Sequence, residues 1–221
     1  MNILQSHLFA PSFSSKINFV TKKELLERFK KNEIGAPWTV EQTVIGEEEA
    51  FSRGASICQI GGLTNTKKMM FFHINSCMSD FLPLEDLFIR QTGAVETGEA
   101  GVNGLMGGGM PKNLSIRMFK KIYNTMRSRA KDNLSVIWGQ CDNRKTHVGY
   151  NLKEDTWYIN CENTSFDKDA ISSVEDINKT YSLIHICDKD EVYLNGKKID
   201  KSELNQCSFE EIEEDAILPL P

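Results

Sequence analysis

The longest helical repeat in this chain is the stretch "MPKNLSIRMFKKIYNTMRSRA", where Ile116, Phe119, Ile122, Tyr123 and Met126 fall on one face. Most other apolar residues come in runs of strand length bounded by turn formers. "TVEQTVIG", "ASICQIGG" and "KMMFFHIN" precede the helix, and "NLSVIWGQ", "THVGYNL" and "TWYINC" follow it, read as three consecutive antiparallel strands. The last two are separated by "KED" as a hairpin turn, and "KDEVYLNGKKID" reads as a further hairpin centred on Asn195-Gly196. One strong helix among many short strands predicts an α+β chain with a strand-rich core and flanking helices.

A second, shorter helix is expected in "TKKELLERFKKNEIG", with Thr21 as its cap, Leu25, Leu26 and Phe29 at helical spacing, and Gly35 after it. No internal repeat or low-complexity linker divides the chain. Changes of pattern therefore set the expected boundaries: residues 1–40 as an N-terminal helical extension, 41–161 as the core, and 162–221 as a C-terminal extension with a hairpin and an acidic tail.

Composition narrows the function classes. A chain of 221 residues can bury a core without disulfide staples, and its hydrophobic fraction of 40% and charged fraction of 26% are those of a globular protein. No apolar run reaches the length that crosses a bilayer, so no membrane span is expected. The opening "MNILQSHLFAPSFSSKINF" lacks the basic start and sustained apolar stretch of a secretory signal, which predicts synthesis and folding in a cytoplasm. A net charge of −5 gives no electrostatic footprint for nucleic acid, and "TKKELLERFKK" reads as a solvated helix face. The six cysteines are scattered, with no Cys-x-x-Cys, and are read as free thiols. Cys58, His73 and Cys77 make one loose group rather than the two close pairs of a zinc site, so neither metal nor cofactor is expected. The glycines of "GVNGLMGGGM" are not followed by the Lys-Ser/Thr of a phosphate loop and are read as serving backbone geometry.

The remaining chemistry lies between Gly54 and His73, in "GASICQIGGLTNTKKMMFFH". A thiolate is a strong nucleophile, and an imidazole of ordinary pKa can take its proton and return it to a leaving group near neutral pH. Spacing alone fits two core residues on neighbouring strands as well as a Cys58/His73 dyad. His147 and His185, both in expected strands, and His7 near the chain start are the competing imidazoles.

Read in order, "VIGEEEAF", "ASIC", "MMFFHIN", "GLMGGGMPKNLSIRMFKKIY" and "LSVIWGQCDNRKTHVGYNLKEDTWYI" resemble the CheD family of bacterial chemoreceptor glutamine deamidases. The resemblance spans roughly Thr43 to Ile159 and is most specific between Asp142 and Asp155, through Asn143, Arg144, Tyr150 and Asn151. It implies a β-sandwich core with flanking helices, of the kind that CheD shares with the catalytic domain of cytotoxic necrotizing factors. It also implies that Cys58 is the nucleophile and His73 the general base. The family's third catalytic position, a threonine six residues before the cysteine, falls on Ser52. Two departures stand out: "SIC" replaces Gly-Ser-Cys, and the segment between "IGEEEAF" and the cysteine is shorter.

The activity so implied is hydrolysis of a protein glutamine to glutamate through a thioester, with a protein as substrate and no cofactor. The acidic end "FEEIEEDAILPLP" is similar to the glutamate-rich C-terminal signals of effectors exported by type IVB secretion systems. That implies a chain made in a bacterial cytoplasm and translocated into a host cytoplasm to act on a host protein. The alternatives are a chemoreceptor deamidase, CheD proper, a CheD-like binding module without catalysis, or a cysteine protease or transglutaminase using the same dyad.

Overall fold

The computed structural model describes residues 15–30, 44–45, 48–56, 58–65, 67–74, 102–108, 113–131, 133–138, 144–163, 171–185 and 191–204. His7, Gly35, Cys77, Asn143 and the acidic end, each singled out in the sequence, lie outside the described residues.

The strands form two six-stranded sheets. In the first, the order runs β12 (Lys197–Ile199), β11 (Val192–Leu194), β1 (Lys16–Phe19), β9 (Thr156–Asn163), β8 (Arg144–Asn151), β3 (Glu49–Ala55). In the second, it runs β10 (Ser182–His185), β7 (Leu134–Trp138), β6 (Asn103–Gly108), β4 (Gln59–Thr64), β5 (Met69–Ile74), β2 (Val44–Ile45). Among the described residues, three α-helices accompany them: α1 (Lys22–Phe29), α2 (Asn113–Ala130) and α3 (Val174–Thr180). The molecule is thus of mixed α and β structure.

Because side chains alternate along a strand, each sheet sorts its residues onto two faces. Ile17, Ala50, Val148, Tyr150, Trp157 and Ile159 from the first sheet join Ile60, Met69, Phe71, Leu105 and Ile137 from the second in one core between the sheets. The opposite face of the second sheet, with Leu63, Met70, Phe72 and Met106, is covered by Phe119, Ile122 and Met126 of α2, the face expected from the sequence. The opposite face of the first sheet, through Phe51 and Tyr158, packs on Leu25 and Phe29 of α1.

Local signals explain where these elements begin and turn. Thr21 Oγ1 accepts the Glu24 N–H at 3.2 Å and caps α1. Phe29 rests over Gly149, where an added Cβ would stand 2.6 Å from the ring, so the absence of a side chain there makes the seat for α1. The Arg28 guanidinium then pairs with Glu154 at 2.8 Å and lies over the Tyr158 ring. Asn195 (φ 50°) and Gly196 (φ 78°) both take the left-handed backbone that a two-residue β-hairpin demands, matching the expected β11–β12 turn.

Two features differ from the consecutive-strand reading. β7 lies in the second sheet, parallel to β6, with α2 as the crossover, whereas β8 and β9 form a hairpin in the first sheet. A helix covering one sheet face returns the chain parallel to the strand it left, so β7 cannot be the first of three antiparallel neighbours. The segments set apart as extensions also enter the first sheet. β1 lies between β9 and β11 and runs parallel to both, and β11–β12 close that edge.

Removal of residues 1–40 takes away an internal strand and the helix covering Phe51 and Tyr158. A chain beginning at residue 41 is expected to lose cooperative thermal unfolding followed by circular dichroism. A sharp transition retained by that truncation would show that β1 is dispensable.

Candidate active site

The alternation that builds the core also brings Ser52 and His73 together. On β3, Ala50 joins the inter-sheet core while Phe51 turns towards α1, so Ser52 points between the sheets. On β5, Met69 and Phe71 face the first sheet and Met70, Phe72 and Ile74 face α2, which directs His73 inward. The two side chains meet across the sandwich, with Ser52 Oγ 2.7 Å from His73 Nδ1. Ser52 is 0% exposed and His73 1%.

Cys58 is not on a strand. The expected strand "ASICQIGG" is broken because β3 ends in the first sheet at Ala55 and β4 begins in the second at Gln59, leaving Cys58 in the crossing between them. Pairing along β3 passes from Ser52↔Val148 to Ala55↔Thr146, which places one extra residue on β3, and Gly54 takes φ 78° in this bulge. Cys58 is half-buried and packs against the inter-sheet core. Ile60, two residues on and facing that core, pairs with His73. Cys58 thus adjoins the core face that carries His73 at the point where the chain enters β4.

The environment sets the state of the imidazole. Burial pushes the His73 pKa down from 6.5 to about 4, so the ring is neutral at pH 7. Its Nε2 is buried and makes no hydrogen bond, which means that Cys58 and His73 are not hydrogen-bonded to each other. With Nδ1–H donating to Ser52 Oγ, Nε2 carries a free lone pair and can act as a base; with the hydroxyl donating instead, Nε2 carries the proton.

The other sequence candidates are placed elsewhere. His147 is buried on the face of β8 opposite to Val148 and Tyr150, and His185 belongs to the edge strand β10. Cys161 is a buried thiol on β9, with Thr146 Oγ1 3.9 Å from its sulfur. Tyr150 joins the sheets at their far end: its hydroxyl lies 2.9 Å from Thr64 Oγ1 and donates to Asp155 Oδ1 at 2.7 Å. Asn151 donates to Glu49 Oε1 and accepts the Glu154 N–H, holding the β8–β9 turn. Tyr150 and Asn151, part of the most specific stretch of the resemblance, therefore have structural duties here. Among the described residues, no group of three His, Cys, Asp or Glu side chains could hold a metal ion. One glycine that sequence reading left as generic backbone, Gly108, lies against the carbonyl of Cys58.

No family model matches this chain, and its sequence matches no curated protein.

Titration of His73 gives a prediction independent of any substrate. A folded-state pKa of about 4 against an ordinary 6.5 means that the unfolded chain binds the proton more readily. The His73 contribution to stability is complete above pH 6.5, is lost as pH falls from there towards 4, and changes little below. Over that window wild type is expected to lose on the order of 3 kcal/mol more than His73→Gln in denaturant unfolding. Identical pH profiles would mean that His73 is not buried as the neutral ring.

Proposed function

We propose that this chain is a cysteine-dependent protein-glutamine deamidase. The observation that carries the reading is the buried Ser52–His73 hydrogen bond, with Nε2 left as an unengaged base on the same face as Cys58. The resemblance to CheD implies a hydroxyl beside the imidazole at the position six before the cysteine, and Ser52 Oγ lies 2.7 Å from His73 Nδ1. That contact supports the assignment of Ser52 as the group orienting His73.

In the proposed reaction, the Cys58 thiol gives its proton to His73 Nε2 and its sulfur bonds to the glutamine side-chain carbonyl carbon. Backbone N–H groups beside Cys58 are the natural donors to the oxyanion. The C–N bond then breaks, and the proton on His73 leaves with the nitrogen as ammonia. Water attacks the thioester, giving its proton to His73, and the glutamate is released as that proton returns to the thiolate. His73 is neutral at pH 7 and so can accept the thiol proton, but its lowered pKa makes it a weak base towards a thiol of ordinary pKa. The substrate class proposed is a host protein reached by an injected effector; a chemoreceptor substrate is the alternative within the same chemistry. The missing Cys58–His73 hydrogen bond favours one second reading, a CheD-like binding module, which labelling of Cys58 by a thiol probe at neutral pH separates from an enzyme.

Peptide mass spectrometry of host-cell proteins exposed to wild type and to Cys58→Ala tests the proposal. A glutamine gaining roughly 1 Da only with wild type is the expected product of amide hydrolysis; cleavage or cross-linking in its place would make the chain a protease or a transglutaminase. Cys58→Ala should abolish turnover, and His73→Ala should lower it by on the order of 10²–10⁴-fold. Ser52→Ala should cost less than either, and Ser52→Thr, which keeps a hydroxyl, should retain most activity. Equal damage from Thr and Ala would assign Ser52 to packing alone.

A further inference from the structure

The thiol proposed as nucleophile sits on a crossing segment rather than on a strand, so something other than a β-ladder must fix its direction. The neighbour that meets its backbone is the end of β6. Gly108 pairs with Gln59, the residue after Cys58, and takes φ 86°. A Cβ placed on Gly108 would stand 2.3 Å from the carbonyl oxygen of Cys58 and 3.3 Å from Cβ of Ala55. The same glycine therefore touches the nucleophile's own peptide plane and the last residue of β3, the two ends of the crossing.

Close approach of a glycine to a facing carbonyl recurs in this sheet: a Cβ on Gly61 (φ 155°) would stand 2.0 Å from the Leu105 carbonyl oxygen, and one on Gly62 2.2 Å from that of Met70. Gly107, one residue before Gly108, would carry its Cβ at 3.3–3.5 Å from Ile137 and Thr146, a tight fit relieved by a shift of a few tenths of an ångström. Gly196 shares the left-handed backbone with φ 78° but has open space where its Cβ would go. Among the described glycines, what sets Gly108 apart is that the carbonyl its side chain would strike is that of Cys58.

We propose that Gly108 is a positioning residue for the Cys58 thiol: its bare Cα lets β6 close against the Cys58 carbonyl and so fixes the peptide plane from which Sγ projects. The inference rests on the reading of Cys58 as nucleophile. Any side chain at 108 must push that carbonyl away by about an ångström to reach van der Waals distance, and displacements of that size at a reacting group cost on the order of 10²-fold in rate.

The test compares Gly108→Ala and Gly108→Asn with Gly196→Ala and wild type. Asparagine tolerates positive φ better than alanine, so the pair separates backbone strain from the steric contact. Alkylation of Cys58 by iodoacetamide is followed against pH by peptide-resolved mass spectrometry, alongside thermal unfolding of each variant. The expected result is that both 108 variants fold, change the Cys58 alkylation rate by about tenfold or more at neutral pH or displace its pH profile, and lower any deamidation by on the order of 10²-fold. Gly196→Ala should leave the alkylation curve unchanged. Curves for the 108 variants that superimpose on wild type would overturn the proposal. Failure of both to fold would overturn it too, assigning the glycine to the sheet rather than to the thiol. The alkylation readout needs no substrate. A wild type without deamidase activity but with the expected alkylation change would remove the proposed function and leave the positioning role standing.

Discussion

Packing of the second sheet between two apolar layers governs what its polar residues can do. β4, β5 and β6 are buried at every position, with the first sheet on one side and α2 on the other. A polar side chain on these strands has no access to water and must find a partner across the sandwich or bear the desolvation cost. Thr64 does so through Tyr150, and His73 through Ser52. The latter solution is incomplete by one atom, His73 Nε2, which makes no hydrogen bond. The same burial keeps the ring uncharged. Structure and chemistry at this site thus have one physical origin.

Much of this was legible in the residues. The 3.6-residue period of Phe119, Ile122 and Met126, the Thr21 cap and the Asn195-Gly196 turn are local signals, and local signals survive into the fold. Strand membership was harder to read. Every run from "ASIC" to "TWYINC" has strand composition, but whether two runs share a sheet depends on what lies between them. The helix between β6 and β7 makes them parallel neighbours, and the short crossing after Ala55 carries the chain from one sheet to the other. β1 and α3 escaped notice because a four-residue strand and a two-turn helix offer too few repeats of either period.

For the candidate site, the offset of six between Ser52 and Cys58 pointed to a hydroxyl near the imidazole, and the geometry brings the two within hydrogen-bonding distance. What no pattern could disclose is the protonation preference of His73, which follows from the apolar residues around it rather than from its neighbours in sequence. The duty of Gly108 was hidden for a similar reason. A glycine run looks the same whether it turns in open space or lies against a carbonyl from another strand.

The placement of β1 sets the order in which this molecule can be assembled. Ile17 pairs with Trp157 on one side and Val192 on the other, both in parallel register. A ribosome releases Ile17 early, yet its strand has no neighbour until the β8–β9 hairpin has been made, and none on its far side until β11 follows near the end of the chain. Pairings so distant along the sequence carry a large loop-closure cost before they return any stabilisation, and they slow folding. The second sheet, whose β4, β5, β6 and β7 are complete by residue 138, can form first and wait. Until the first sheet closes over it, the inner face bearing His73 lacks the burial that lowers the imidazole pKa in the folded chain.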